Sequence, residues 1–226
     1  MEKMIHQYRD MNSLVTELAS RISHLLESAI ETNHKATMLL SGGTTPIPLY
    51  HKLSQCNIEW NKVDIGLVDE RFVLQDNSFS NEKMIRNTLI KNKAKNARFT
   101  GMIWDANYEM NLKMANEAYK TFLNPDLLIL GMGNDGHTAS LFPNDMSSSI
   151  SINENQPALS NTFAPNEPKR RITLNKSFIC SSQKTYLLIQ GKEKASIVQG
   201  TVDNQYPIRQ FMSNIQEIHL SNNEPL

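Results

Sequence analysis

The chain of 226 residues is long enough for one α/β domain with a sizeable core, and 39% of its residues are hydrophobic while 20% are charged. Its 23 basic and 23 acidic residues cancel, so no overall field attracts nucleic acid or an anionic membrane. The amino terminus lacks the apolar core of a signal peptide, and the longest apolar run, residues 127–132, is too short to cross a bilayer. These features predict a soluble cytoplasmic protein with one domain over residues 1–226 and no membrane or nucleic-acid partner.

The two cysteines, Cys56 and Cys180, lie far apart in the sequence. They form no CxxC pair and have no histidine at metal-ligand spacing, which argues against a disulfide framework and a zinc site. No metal or cofactor is therefore expected.

Helical and strand patterns alternate along the chain, which is typical of an α/β sheet with helices on its faces. Asn12 and Ser13 give a start signal for the first helix, whose apolar residues recur at helical spacing from Leu14 to Ala29. Further helices are predicted near 46–53, 81–90, 106–123, 193–198 and 208–212. Strands are predicted at 36–40, 63–68, 98–102, 126–130, 171–174, 186–190 and 215–220. Residues 144–168, rich in Ser, Asn and Pro, are predicted to be surface loop and edge structure with one strand at 158–164.

Residues 41–46, with the sequence SGGTTP, lie between a predicted buried strand and a predicted helix. Glycines let backbone N–H groups approach a ligand, hydroxyls add donors, and a helix amino terminus presents unpaired N–H groups. These features suit a phosphate monoester, but a tight turn with a threonine cap would use the same residues. No Gly-Lys-[Ser/Thr] follows, which excludes a nucleotide-binding P-loop.

Three further segments carry charges that are compatible with a ligand. Asp69-Glu70-Arg71 ends a predicted strand and could orient a polyol and bind an anion, or it could be a solvated surface pair. Arg171 opens a strand and Lys194 lies at a helix start. Either could add positive charge to a phosphate site or remain a solvated surface cation.

The segment 131–138, GMGNDGHT, follows the most strand-like run of the chain. Its glycines satisfy G-x-G-x-x-G, but the acidic residue expected about 20 residues later at a strand end is missing, which argues against dinucleotide binding. Asp135 and His137 flank a glycine, and a carboxylate beside an imidazole is suited to general-base catalysis. A histidine hydrogen-bonded only within its loop is the alternative. The other five histidines have no such setting and are assigned no role: His6, His24, His34, His51 and His219.

In this order, LSGGTTP at 40–46, DER at 69–71, LILGMGNDGHTASLFP at 128–143, RITL at 171–174 and GKEKA at 191–195 resemble the 6-phosphogluconolactonase family. The resemblance implies a modified Rossmann-like α/β fold and hydrolysis of 6-phospho-D-glucono-1,5-lactone in the oxidative pentose phosphate pathway. It implies that His137 is the catalytic base with Asp135 as its companion. The residues that it assigns to the sugar phosphate are Ser41, Gly42, Gly43, Thr44, Arg171 and Lys194, with Asp69 and Arg71 at the sugar end.

The related glucosamine-6-phosphate deaminases have a glutamate five residues after the histidine and a tyrosine after the Asp-Glu pair. This chain has Phe142 and Arg71 at those positions, which favours lactone hydrolysis over ring opening of an amino sugar. A deaminase or isomerase and a non-catalytic phosphosugar-binding protein remain as alternatives. The approach NEPKRRITL departs from the family pattern, so either Arg170 or Arg171 could reach the phosphate, and the spacing favours Arg171. The oligomeric state, monomer or homodimer, stays open.

Overall fold

The computed structural model of the protein describes residues 4–200 and 206–221. The strands in these ranges are β1 (Met4–Tyr8), β2 (Ala36–Leu40), β3 (Val63–Leu67), β4 (Asp69–Arg71), β5 (Arg98–Phe99), β6 (Leu127–Leu130), β7 (Leu159–Phe163), β8 (Arg170–Leu174), β9 (Thr185–Gln190) and β10 (Glu217–Ser221). The α-helices are α1 (Met11–Asn33), α2 (Ile47–Leu53), α3 (Asn81–Thr88), α4 (Tyr108–Tyr119), α5 (Met146–Asn153), α6 (Lys176–Cys180) and α7 (Lys192–Gln199). Among the described residues, no helix combines the length and the apolar character that a membrane crossing needs.

Seven strands form a parallel sheet in the order β1-β10-β9-β6-β2-β3-β5. The central strands β2 and β6 are buried at every position, which is expected when both faces of a parallel sheet are covered. Leu40 pairs with Ile129, so β2 and β6 end at the same level of the sheet. The predicted α/β fold with a mostly parallel sheet is confirmed.

A second, antiparallel sheet contains β4, β8 and β7 in that order. The chain leaves the large sheet after Leu67, and Asp69 then pairs with Thr173 of β8. The predicted strand at 63–68 is confirmed as β3, but residues 69–71, predicted to follow the strand end, form a further short strand. This change of sheet brings the Asp-Glu-Arg segment beside Arg171, the register partner of Arg71.

Helix α1 begins one or two residues before the predicted start signal, because Asp10 caps it and accepts a hydrogen bond from the Ser13 N–H at 2.8 Å. Its apolar residues recur at helical spacing and are fully buried at Leu14, Leu18 and Ile22. The helix thereby covers one face of the sheet.

Residues 144–168 are more ordered than the sequence predicts. They contain the expected strand, β7, and also helix α5. The interpretation as surface loop and edge structure is therefore wrong for residues 146–153. Two other short elements, β1 and α6, were not predicted, and the predicted helix at 208–212 is a 3-10 helix, Pro207–Phe211.

Candidate active site

A cavity of about 360 Å³ opens beyond the carboxyl ends of the central strands. In the large sheet, β3 lies on one side of β2, and β6, which comes later in the chain, lies on the other side. The strand order therefore reverses between β2 and β6, and the cavity opens at this point. Open α/β sheets bind ligands where the strand order reverses in this way. All of the predicted site residues line this cavity: Ser41, Gly42, Gly43, Thr44, Asp69, Arg71, Asp135, His137, Arg171 and Lys194.

The loop after β2 presents free backbone donors. Within the described part of the chain, the N–H groups of Gly42, Gly43 and Thr44 donate no hydrogen bond to other protein atoms. Gly43 has a φ of +93°, and a Cβ on Gly42 would lie 1.9 Å from Oδ1 of Asn81, so both glycines are required by the shape of the loop. A loop with unpaired N–H groups and no side chains in the way can surround an anion.

Ser41 has a different part in this loop. Its hydroxyl donates to the Ile129 carbonyl at 2.8 Å and accepts from the Gly131 N–H at 3.2 Å, and its own N–H donates to Ile129. The hydroxyl and the N–H of this residue are therefore used within the protein. Ser41 connects the loop after β2 to the loop after β6.

The loop after β6 is a tight turn that places an imidazole beside a carboxylate. The Gly133 N–H donates to the His137 carbonyl at 2.9 Å, and Gly136 adopts a φ of +73°. A Cβ on Gly133 would lie 2.2 Å from Nδ1 of His137 and 2.6 Å from Oδ1 of Asp135. Gly133 thus leaves room for the His137–Asp135 pair.

His137 and Asp135 are in direct contact. Nδ1 of His137 lies 2.5 Å from Oδ1 of Asp135, and the same oxygen accepts the backbone N–H of His137 at 3.2 Å. Burial alone would raise the pKa of Asp135, but the hydrogen bond and charge of His137 outweigh it and hold this pKa below its ordinary value. The carboxylate therefore fixes Nδ1 and leaves Nε2 of a partly exposed ring for a ligand.

Three cations line the cavity, Arg71, Arg171 and Lys194, and burial shifts the pKa of the last two. Burial lowers the pKa of Arg171, while Asp69 acts in the opposite direction. Burial also lowers the pKa of Lys194, opposed by Asp135. Nε of Arg171 donates to the Pro168 carbonyl at 2.8 Å, which leaves its terminal nitrogens for other partners.

The structure distinguishes Arg171 from its neighbour Arg170. Arg171 is buried in the cavity wall, whereas Arg170 is exposed and its guanidinium lies 5.3 Å from the centre of the Tyr108 ring. Of these two arginines, only Arg171 lines the cavity, which is the residue that the spacing in the sequence favours.

The Asp-Glu-Arg strand presents two of its side chains to the cavity and one to the interior. Asp69 accepts a hydrogen bond from the buried hydroxyl of Ser140 at 2.6 Å. Nη1 of Arg71 donates to the Phe79 carbonyl, and its buried Nε has no partner among the described residues. Glu70 points away and accepts the N–H groups of residues 71, 81 and 82, so it caps α3.

Several cavity residues were not predicted from the sequence as site residues. Asn81, at the start of α3, donates from Nδ2 to the Asp69 carbonyl at 2.9 Å. Phe142 lies with its ring centre 4.8 Å from that of His137 and 5.8 Å from the guanidinium of Arg171. Residues 164–166 close part of the rim. No sequence signal marks Asn81 or the rim residues, because tertiary packing alone brings them to the cavity.

The chain is similar to known proteins over most of its length. The family model described as glucosamine-6-phosphate isomerases/6-phosphogluconolactonase matches residues 9–220. A 6-phosphogluconolactonase of Neisseria meningitidis is 33% identical over 217 residues, which covers 92% of this chain and 94% of that protein. One from Pseudomonas putida is 31% identical and covers 95% of this chain and 91% of its own length. The crystal structure of a 6-phosphogluconolactonase from Shewanella baltica superposes with a TM-score of 0.91 at 34% identity, covering 97% of this chain and 98% of that one. The chain belongs to the glucosamine-6-phosphate isomerase/6-phosphogluconolactonase family.

Proposed function

We propose that this protein is a 6-phosphogluconolactonase that hydrolyses 6-phospho-D-glucono-1,5-lactone to 6-phosphogluconate in the cytoplasm, as a step of the oxidative pentose phosphate pathway. One observation carries the proposal: the His137–Asp135 pair shares one cavity with three cations and with three backbone N–H groups that have no partner among the described residues. A base at one end and an anion site at the other match a lactone that carries a phosphate. The names of the relatives support the same reaction.

The phosphate end of the substrate binds to the loop after β2. The N–H groups of Gly42, Gly43 and Thr44 donate to the phosphate oxygens, and Arg171 and Lys194 compensate their charge. Because this anchor is remote from the reacting carbon, its binding energy orients the lactone ring for attack.

The chemical step takes place at the imidazole. Nε2 of His137 removes a proton from a water molecule while Asp135 stabilises the imidazolium through Nδ1. The resulting hydroxide adds to C1 of the lactone and forms a tetrahedral oxyanion, which an N–H group or a cation of the cavity stabilises. The C1–O bond of the ring then breaks, and the imidazolium returns the proton to the leaving ring oxygen.

Phe142 separates this reaction from that of the deaminases. Its ring packs against His137 with only 6% of its surface exposed, at the position where the deaminases have a glutamate. The imidazole therefore has an apolar neighbour instead of a second acid-base group, and ring opening of an amino sugar lacks its catalyst. We expect no ammonia release from glucosamine 6-phosphate.

The test is a lactonase assay with freshly generated substrate, corrected for spontaneous ring opening. His137→Ala should lower kcat by about 10²–10⁴-fold, the usual contribution of one general base. His51→Ala, a change at an exposed histidine on α2, is the matched control and should retain the wild-type rate. A folded His137→Ala protein with near wild-type activity would contradict the proposal.

The phosphate site has a test of its own. Arg171→Ala and Lys194→Ala should lower kcat/KM for the phosphorylated lactone but leave the weaker turnover of unphosphorylated gluconolactone nearly unchanged. Equal losses on both substrates would mean that these cations do not recognise the phosphate.

A further inference from the structure

A second cluster of titratable side chains lies on the edge strand β1 and its neighbour β10, and none of its members lines the cavity. His6 and His219 are register partners in the parallel pair, and Glu217 lies two residues before His219, so all three share one face of the sheet. Oε2 of Glu217 lies 3.2 Å from Nε2 of His6 and 3.2 Å from Nε2 of His219. The three ligating atoms all lie within 4.8 Å of one another.

The imidazole of His219 is held in place from its other side. Its Nδ1 lies 3.1 Å from the Tyr8 hydroxyl, and in the tautomer whose Nδ1 donates to Tyr8, Nε2 keeps its lone pair. His219 is fully buried, and among the described residues its Nε2 has no hydrogen-bond partner. This buried imidazole nitrogen makes no hydrogen bond in the described part of the chain and lies 3.2 Å from a carboxylate oxygen, so it is available to bind a metal ion.

We propose that His6, Glu217 and His219 bind a divalent first-row transition metal ion of the zinc type. Two imidazole nitrogens and one carboxylate oxygen are a common donor set for Zn²⁺. Zinc–ligand distances of about 2.0–2.1 Å in a tetrahedron place neighbouring ligand atoms about 3.3 Å apart. The 3.2 Å separations around Oε2 of Glu217 agree with this value, and the Tyr8 hydroxyl supplies the outer hydrogen bond that orients a ligating histidine. The His6 and His219 rings are stacked with their centroids 4.9 Å apart, so the partly exposed His6 side chain must turn toward Glu217 and His219 when the ion binds.

Arg21 of α1 occupies the position of the cation in the metal-free protein. Its Nη2 lies 3.0 Å from Oε2 of Glu217 and 3.4 Å from Nε2 of His6. The Arg21 side chain is 34% exposed, so the guanidinium can move into solvent when a metal ion displaces it. Arg21 and the metal therefore compete for Glu217, and the bound ion would join the edge strand β1 to β10. This site departs from the sequence-based expectation of no metal and no role for His6 and His219.

The test is equilibrium dialysis of the metal-stripped full-length protein against Zn²⁺, followed by metal analysis. The wild type should bind one ion at this site, and His6→Ala should weaken binding at least about tenfold. His6 is the deciding position because its side chain is 23% exposed, whereas truncation of the fully buried His219 can unfold the protein. Co²⁺ used in place of Zn²⁺ should give the visible absorption of a tetrahedral ion, and His6→Ala should abolish it.

Two further variants distinguish a metal site from an internal ion pair and from binding at the cavity. Arg21→Gln should tighten Zn²⁺ binding about two- to fivefold, the value of one partly exposed ion pair, because the competing cation is gone. A cluster that is only an internal ion pair predicts no such gain. His137→Ala removes the other histidine–carboxylate pair and should leave the stoichiometry unchanged. The proposal is overturned if the wild type binds no Zn²⁺, if His6→Ala binds it as tightly as the wild type, or if binding is lost in His137→Ala.

Discussion

Replacing Asp135 by Asn removes the negative charge that holds the imidazole of His137. Nδ1 of His137 lies 2.5 Å from Oδ1 of Asp135. The Asp135 side chain is 42% exposed and that of His137 is 33% exposed, so the effective dielectric constant lies between the value for bulk water and the value near a protein surface. Unit charges about 4 Å apart attract by about 1 kcal/mol in water and by about 4 kcal/mol near a protein surface. Because this attraction exists only after His137 has taken up the proton, its loss should lower kcat by about one to three orders of magnitude and leave KM nearly unchanged.

The assay compares the wild type, Asp135→Asn, His137→Ala and the double variant on freshly generated lactone. If Asp135 acts only through His137, the Asn substitution should cost nothing further in the His137→Ala protein. Circular dichroism and thermal unfolding of each variant control for folding. A wild-type kcat in Asp135→Asn, or a full additional loss in the double variant, would refute the assignment of Asp135 as the partner of the base.

Two other substitutions test the loop and the strand beside it. Gly42→Ala places a Cβ 1.9 Å from Oδ1 of Asn81, so the loop must shift, and kcat/KM for the phosphorylated lactone should fall about tenfold or more. Glu70→Gln removes a buried titratable group, and Glu59→Gln at an exposed ion pair is the control in the same urea titration. Burial raises the pKa of Glu70 from 4.5 to about 7, so the folded protein keeps a proton that the unfolded chain has released. Stability should therefore decrease by up to about 3 kcal/mol as pH rises through this window, and Glu70→Gln should abolish the slope.

The sequence predicts the central strands well because they are buried on both faces. β2, β6 and β9 are nearly continuous apolar runs, and such runs have few alternatives to a parallel sheet between helices. β1 has no such signal, since its residues Met4–Tyr8 lie at the sheet edge and are mostly exposed. Helix α5 is equally hard to predict, because the residues it buries are Ser148 and Ser151.

The candidate site could be predicted where glycines and polar or titratable residues follow a strand directly in the sequence. Residues 41–46 and 131–138 meet this condition, because parallel strands end at one edge of the sheet. The His6–His219 contact could not be predicted in this way. These residues come from opposite ends of the chain, and only the pairing of β1 with β10 makes them neighbours.

The hydroxyl of Ser41 has a consequence for substrate choice. It ties the anion-binding loop to the loop that carries the imidazole, through hydrogen bonds to Ile129 and Gly131. Under the proposed function, the span between the loop after β2 and Nε2 of His137 is therefore set before any substrate arrives. We then expect a five-carbon phosphorylated lactone to react more slowly than the six-carbon substrate, because it does not fit both ends of the cavity at the same time.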